Sequence, residues 1–158
     1  MSQNTELLQR FYSAFQQRDW HTMAECYHPN ASFKDPIFQL NGSDIGMMWR
    51  MLCERAQNFE LDFQLKDIKE DHALVAWQAN YIFSTTGRMV KNRIEASITF
   101  KDGLIYTHQD TFNFWRWSSQ ALGVSGLILG WTPVVKNKVS EQANAQLDKF
   151  KAKATNQA

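Results

Sequence analysis

The chain has 158 residues, 44% of them hydrophobic, which suits one domain with a substantial core. Its formal net charge of +1, with Lys and Arg scattered along the chain, gives no global electrostatic case for nucleic acid or a membrane as partner. Aromatic content is high, with 6 Trp and 11 Phe, as a deep core or an aromatic pocket requires. Two cysteines, Cys26 and Cys53, fit neither a metal-ligand spacing nor a disulfide framework and read as buried free thiols of a reducing compartment. The N-terminus is polar, and the longest apolar run, 124–135, is broken by Gly126, Gly130 and Pro133, so a cytoplasmic location is the expectation.

Residues 4–17 place Leu7, Leu8, Phe11, Tyr12 and Phe15 at helical spacing, with Asn4 or Thr5 as cap. Asp19 caps a second short helix over 20–27, and His28-Pro29-Asn30 ends it. Residues 31–34 read as a short strand closed by Asp35-Pro36, followed by a loop to Gly42. Ser43 or Asp44 caps a third helix that ends near residue 58, with Ile45, Met48, Trp49, Leu52 and Ala56 inward. Four strands follow over 59–70, 73–84, 89–101 and 103–117. In the third of these Asn92, Ile94, Ala96, Ile98 and Phe100 share one face, opposite Arg93 and Glu95. Three helices followed by a meander of long antiparallel strands is an α+β pattern.

The 103–117 stretch opens on Lys101-Asp102-Gly103, a hairpin signal. Strict alternation sets Leu104, Tyr106, His108, Asp110, Phe112 and Phe114 on one face, apolar except at His108 and Asp110. A carboxylate on such a face is costly unless paired or put to use. In apolar surroundings a carboxyl becomes a useful acid or base near neutrality. Asp110 is therefore the leading candidate for catalysis, with His108 as its partner. Past Trp117, residues 118–122 form a helical turn and 124–131 a Gly-punctuated apolar loop. Thr132-Pro133 then starts a last helix with Val135, Val139, Ala143, Leu147 and Phe150 as its apolar stripe, fraying from Lys151. Trp115, Trp117, Trp131 and Leu127-Ile128-Leu129 are expected to be core that pins this helix; a lid or a partner surface is the alternative reading.

The element order resembles the NTF2-like superfamily, in which a curved antiparallel sheet forms a cone with helices closing one side. Leu8-Gln9-Arg10-Phe11-Tyr12-Ser13-Ala14-Phe15 is similar to the first helix of ketosteroid isomerases. Ala31-Ser32-Phe33-Lys34-Asp35-Pro36 is similar to their base-bearing segment, and Gly103 through Phe112 resembles the final-strand motif of epoxide hydrolases and SnoaL-type cyclases. The likeness covers about residues 5–116 of a single domain spanning 1–158, with 117–153 as an added C-terminal loop and helix.

The resemblance implies Asp35 as a second carboxylate and a pocket lined by Trp49, Trp77, Tyr81, Asn92, Phe112, Phe38 and Phe11. It also implies a homodimer through the outer sheet face that carries Arg93 and Glu95. Phe11 and Ala96 stand where the isomerases place their oxyanion-hole tyrosine and aspartate; Trp77 and Ala79 stand where the hydrolase places its Arg and second Asp. The expected function is cofactor-independent and metal-free acid/base catalysis on a small, largely apolar organic ligand, as isomerase, cyclase or hydrolase. The alternatives are a non-catalytic small-ligand binder and an interaction module using the Trp-rich C-terminal segment. Neither nucleic acid nor a membrane is expected as partner.

Overall fold

The computed structural model describes residues 1–156. Helices α1 (Gln3–Gln16) and α2 (Trp20–Glu25) lead into β1 (Tyr27–Lys34) and β2 (Gln39–Asn41), and α3 (Ser43–Arg55) follows. The strands β3 (Gln57–Ile68), β4 (His72–Phe83), β5 (Arg88–Lys101) and β6 (Leu104–Thr111) come next, then α4 (Phe114–Leu122), α5 (Val124–Leu129) and α6 (Pro133–Asn156). One curved, unclosed six-stranded sheet has the order β2-β1-β6-β5-β4-β3. The fold is α+β, as the residue pattern indicates, but the sheet is not wholly antiparallel: β1 runs parallel to β6. None of the helices among the described residues is long and apolar enough to cross a membrane.

Local chemistry accounts for the framework. The Ser2 hydroxyl accepts from the Thr5 amide at the start of α1, and Asp19 accepts from the Thr22 amide at the start of α2. Asp102 and Gly103 both take positive φ, 54° and 75°, as a two-residue hairpin turn demands. The inner face of β5 carries Asn92, Ile94, Ala96 and Ile98, all buried, while Arg93 and Glu95 are exposed. Against this face α1 and α3 lay Phe11, Phe15 and Trp49, whose rings meet edge to face at 4.9–6.4 Å. Both cysteines are buried and free.

Four sequence expectations are corrected. First, β1 begins at Tyr27, not residue 31, and α2 stops at Glu25. Second, alternation along β6 is interrupted. Pairing with β5 jumps from Thr99↔Thr107 to Phe100↔Ile105, so Tyr106 has no residue opposite it. This bulge puts Ile105, fully buried, on the side of His108 and Asp110 and turns Tyr106 outward, edge-on to His28.

Third, β6 ends at Thr111, because the Asn113 side chain accepts from the Arg116 amide and starts α4. Phe114 is thus a helix residue and not part of the inward strand face. Fourth, 124–129 is helical, α6 persists to Asn156, and of the Trp-rich group only Trp117 is core. Trp115, Leu127, Ile128, Leu129 and Trp131 are exposed.

Candidate functional site

The curved sheet, α3 and α6 enclose a cavity of about 240 Å³. That is just below the roughly 300–1,000 Å³ of pockets that take drug-sized ligands. Asp35, Asp110, Asn92 and Tyr81 supply its polar wall; Phe38, Trp49, Trp77 and Phe112 are among its apolar side chains. On α6, Val139, Gln142, Ala143 and Gln146 close one side. That helix is tied to the Asp35 loop, since the Ser140 hydroxyl and the Asn144 amide both donate to the Ile37 carbonyl.

Asp110 is almost fully buried near the end of β6. Its Oδ1 accepts from His108 Nε2 at 2.9 Å and from the Trp77 indole at 3.3 Å. His108 does not line the cavity but lies behind it. Its Nδ1 is 2.7 Å from the Tyr27 hydroxyl, which accepts from the Trp49 indole at 3.0 Å. The direction of this chain follows from its ends. An indole N–H can only donate, so it occupies the Tyr27 oxygen as an acceptor, and the phenol hydrogen is directed to Nδ1. Neutral His108 must then carry its hydrogen on Nε2 and donate it to Asp110. The second carboxylate oxygen, Oδ2, has no hydrogen bond among the described residues and is left for the cavity.

Asp35 is half-buried, at the turn between β1 and β2. Its Oδ1 accepts from the Ile37 and Phe38 amides at 2.7 and 2.6 Å, and its other oxygen is unbonded among the described residues. Burial pushes this carboxyl up to about 7. The two amides oppose that rise, and the charge of Asp110 adds to it. Tyr81 accepts from the Trp117 indole at 2.9 Å, so its own hydrogen is free to donate. Its phenol is raised, mainly by burial, with Asp35 contributing in the same direction. Asn92, 7% exposed, has no side-chain partner among the described residues and borders the cavity.

Of the residues singled out from sequence, Asp35, Asp110, Trp49, Trp77, Tyr81, Asn92, Phe112 and Phe38 border one space. Phe11 does not: it is fully buried behind the wall, edge-on to Tyr27, Trp49 and His108. Sequence reasoning missed Tyr27, taken as a helix end. Its link to His108 crosses the parallel β1–β6 pair and leaves no local signal. It also missed Tyr12, stacked on Phe63 at 5.2 Å, whose hydroxyl is buried without a partner among the described residues. Burial, and next the charge of Asp110, raise the Tyr12 phenol well above its ordinary value. Among the described residues no three His, Cys, Asp or Glu side chains cluster so as to hold a metal ion.

A family profile described as a SnoaL-like domain matches residues 8–108. Comparison with curated proteins finds no match. Among solved structures, the chain is similar to a protein of ketosteroid isomerase-like fold from Catenulispora acidiphila, solved in complex with trimethylamine. The TM-score is 0.66 and identity 12%, covering 81% of this chain and 98% of that one. An LEH-like epoxide hydrolase of M. tuberculosis gives a TM-score of 0.64 at 17% identity, over 80% and 96%. A provisionally assigned polyketide cyclase from Silicibacter gives 0.66 at 16%, over 74% and 93%. At these identities the likeness speaks for the NTF2-like fold alone.

Proposed function

The chain belongs to the SnoaL-like domain family, and from that premise we propose that its cavity catalyses proton transfer beside the carbonyl of a small, largely apolar organic substrate, without a cofactor. The observation that carries this reading is Asp35. Its carboxyl is raised to about 7, borders an apolar cavity, and keeps one oxygen free. Such a group is half ionised at neutral pH, where a general base works best. Asp35 would take a hydrogen from the carbon next to the carbonyl. The C–H electron pair moves into the carbonyl system, and the growing negative charge on oxygen is met by the free Tyr81 hydroxyl and the Asn92 amide. In a substrate with a C=C bond beyond that carbon the intermediate is a dienolate; Asp35 returns the proton to its far carbon, the double bond moves into conjugation with the re-formed carbonyl, and the isomerisation is complete.

In this scheme Asp110 stays an acceptor, held by His108 and Trp77, and its free oxygen borders the same space. His108 is a positioning residue, because it reaches the substrate only through Asp110. Structures of the same fold include an LEH-like epoxide hydrolase and provisionally assigned polyketide cyclase and isomerase proteins, which supports the reaction class without specifying it.

The test is exchange of ketone α-hydrogens for deuterium, followed by proton NMR on a panel of small cyclic ketones. Their binding is measured in parallel by quenching of tryptophan fluorescence. Exchange should rise with pH to a plateau, with a midpoint near 7, because the base acts only when ionised. Asp35→Asn should lower the rate by about 100-fold or more. Ketones that bind but exchange no faster than in buffer would overturn the catalytic reading and leave a non-catalytic ligand binder.

A further inference from the structure

Helix α5 is built inside out. Gly126 and Gly130, one turn apart, face α4 so closely that a Cβ at Gly126 would fall on the Ser118 carbonyl and one at Gly130 on the Ser118 hydroxyl. The small residues thus form the packed side, while Val124 (72% exposed), Leu127, Ile128 (60%), Leu129 and Trp131 (72%) point away from the protein. For a helix whose only role was to fold onto its own chain, burial would favour the reverse. The Trp115 indole donates to the Leu127 carbonyl at 3.1 Å and the Trp131 indole to the Ile128 carbonyl at 2.9 Å, which ties both exposed rings to the backbone of α5. Val134, 74% exposed, adds to the apolar surface from the first turn of α6.

The charge around this surface identifies its partner. Residues 111–140 contain no Asp or Glu and three cations, Arg116, Lys136 and Lys138. All three are exposed, and none forms an ion pair among the described residues. We propose that this α4–α5–α6 corner docks on an anionic lipid surface. The aliphatic side chains would enter the boundary between headgroups and acyl chains, the two exposed indoles would sit at headgroup depth, and the three cations would meet lipid phosphates. A second copy of this chain is the less favoured occupant, because twofold pairing of the face would bring its unpaired cations together with no carboxylate from the same stretch to offset them. The small net charge of the whole chain hides this feature, since the membrane case rests on a local patch. Leu122, at the junction of α4 and α5, also borders the cavity, so the patch adjoins one cavity wall.

The test is flotation of the full chain with vesicles of phosphatidylcholine alone and of phosphatidylcholine with about 30% phosphatidylglycerol, chosen to give a marked negative surface. Tryptophan emission is recorded alongside, and size-exclusion chromatography in buffer is run over a range of concentrations. Binding should require the anionic lipid, weaken in high salt and shift the emission to the blue. The double variant Leu127→Gln/Ile128→Gln should lose about tenfold or more in partitioning. Lys136→Gln/Lys138→Gln should lose about fivefold per charge removed. All four positions are exposed, so unchanged far-UV dichroism and ketone binding are expected of both variants. Equal partitioning of wild type and variants would overturn the proposal. So would failure to bind either vesicle, and so would a concentration-dependent dimer that the Leu127/Ile128 variant abolishes, which assigns the face to a second copy.

Discussion

Replacing Asp35 by Asn should stabilise the protein, and only where the carboxyl of the free chain is ionised. The Asp35 carboxyl moves from an ordinary 3.8 to about 7 on folding. Below pH 4 it is protonated in both states and contributes nothing. Between about 4 and 7 the unfolded chain releases the proton while the folded protein keeps it, so stability falls as pH rises; above 7 the loss is complete. At about 1.4 kcal/mol per pKa unit the penalty above pH 7 is roughly 4 kcal/mol. Asparagine keeps an oxygen to accept from the Ile37 and Phe38 amides and carries no charge to desolvate.

The variant should therefore match wild type near pH 4 and exceed it by several kcal/mol at pH 8. That corresponds to roughly 10 °C in Tm, at about 2–4 °C per kcal/mol for a chain of this length. Urea unfolding and thermal melts of both proteins at pH 4.5, 6 and 8 measure the difference, in which the titrations of groups remote from Asp35 cancel. A stability difference that does not change with pH would refute the reasoning, because the Asp35 carboxyl would then titrate alike in the folded and unfolded chains. Combined with loss of exchange, a gain in stability identifies a group held at a cost for its chemistry.

Two further substitutions probe the groups around Asp110. Tyr27→Phe removes the hydroxyl between Trp49 and His108 and leaves the indole N–H and Nδ1 unpartnered, so about 1–3 kcal/mol of stability should be lost. Nitrogen NMR of the His108 ring should then show a changed Nδ1 signal, that of an acceptor without a donor, while Asp110 still holds the hydrogen on Nε2; an Nδ1 signal identical to wild type would sink the directional chain. Tyr12→Phe should be neutral or stabilising by about 1 kcal/mol, since the hydroxyl it removes is buried without a partner. A loss above about 1 kcal/mol in urea unfolding would show that the hydroxyl is bonded in solution.

The elements with a local signature were legible in the residues themselves. Asp19 caps α2 as its position indicates, Asp102-Gly103 makes the hairpin turn, and the inner and outer faces of β5 separate as alternation predicts. Errors arose where a partner distant in sequence sets the outcome. Nothing near Tyr106 announces its bulge, because the extra residue exists only relative to β5. The run from Phe112 to Trp117 alternates like a strand, yet Asn113 has a helix to cap once the sheet has ended. The exposed side of α5 was unreadable for a similar reason. Leucine and isoleucine in a Gly-rich run look like core until the packed α4 backbone leaves room only for the glycines.

Residue order by itself determined the α+β class and the place of the longer helices and strands, because these follow from propensities and periodicities acting over a few neighbours; alternation singled out Asp110, and family resemblance singled out Asp35. Tertiary structure decided what those carboxylates can do. The raised carboxyl of Asp35 depends on burial by segments far along the chain and on the nearby charge of Asp110. The tautomer of His108 is fixed between Asp110 and a tyrosine 81 positions away. Proton affinity and hydrogen-bond direction are set by everything within a few ångströms, and in this chain those neighbours come from both ends of the sequence.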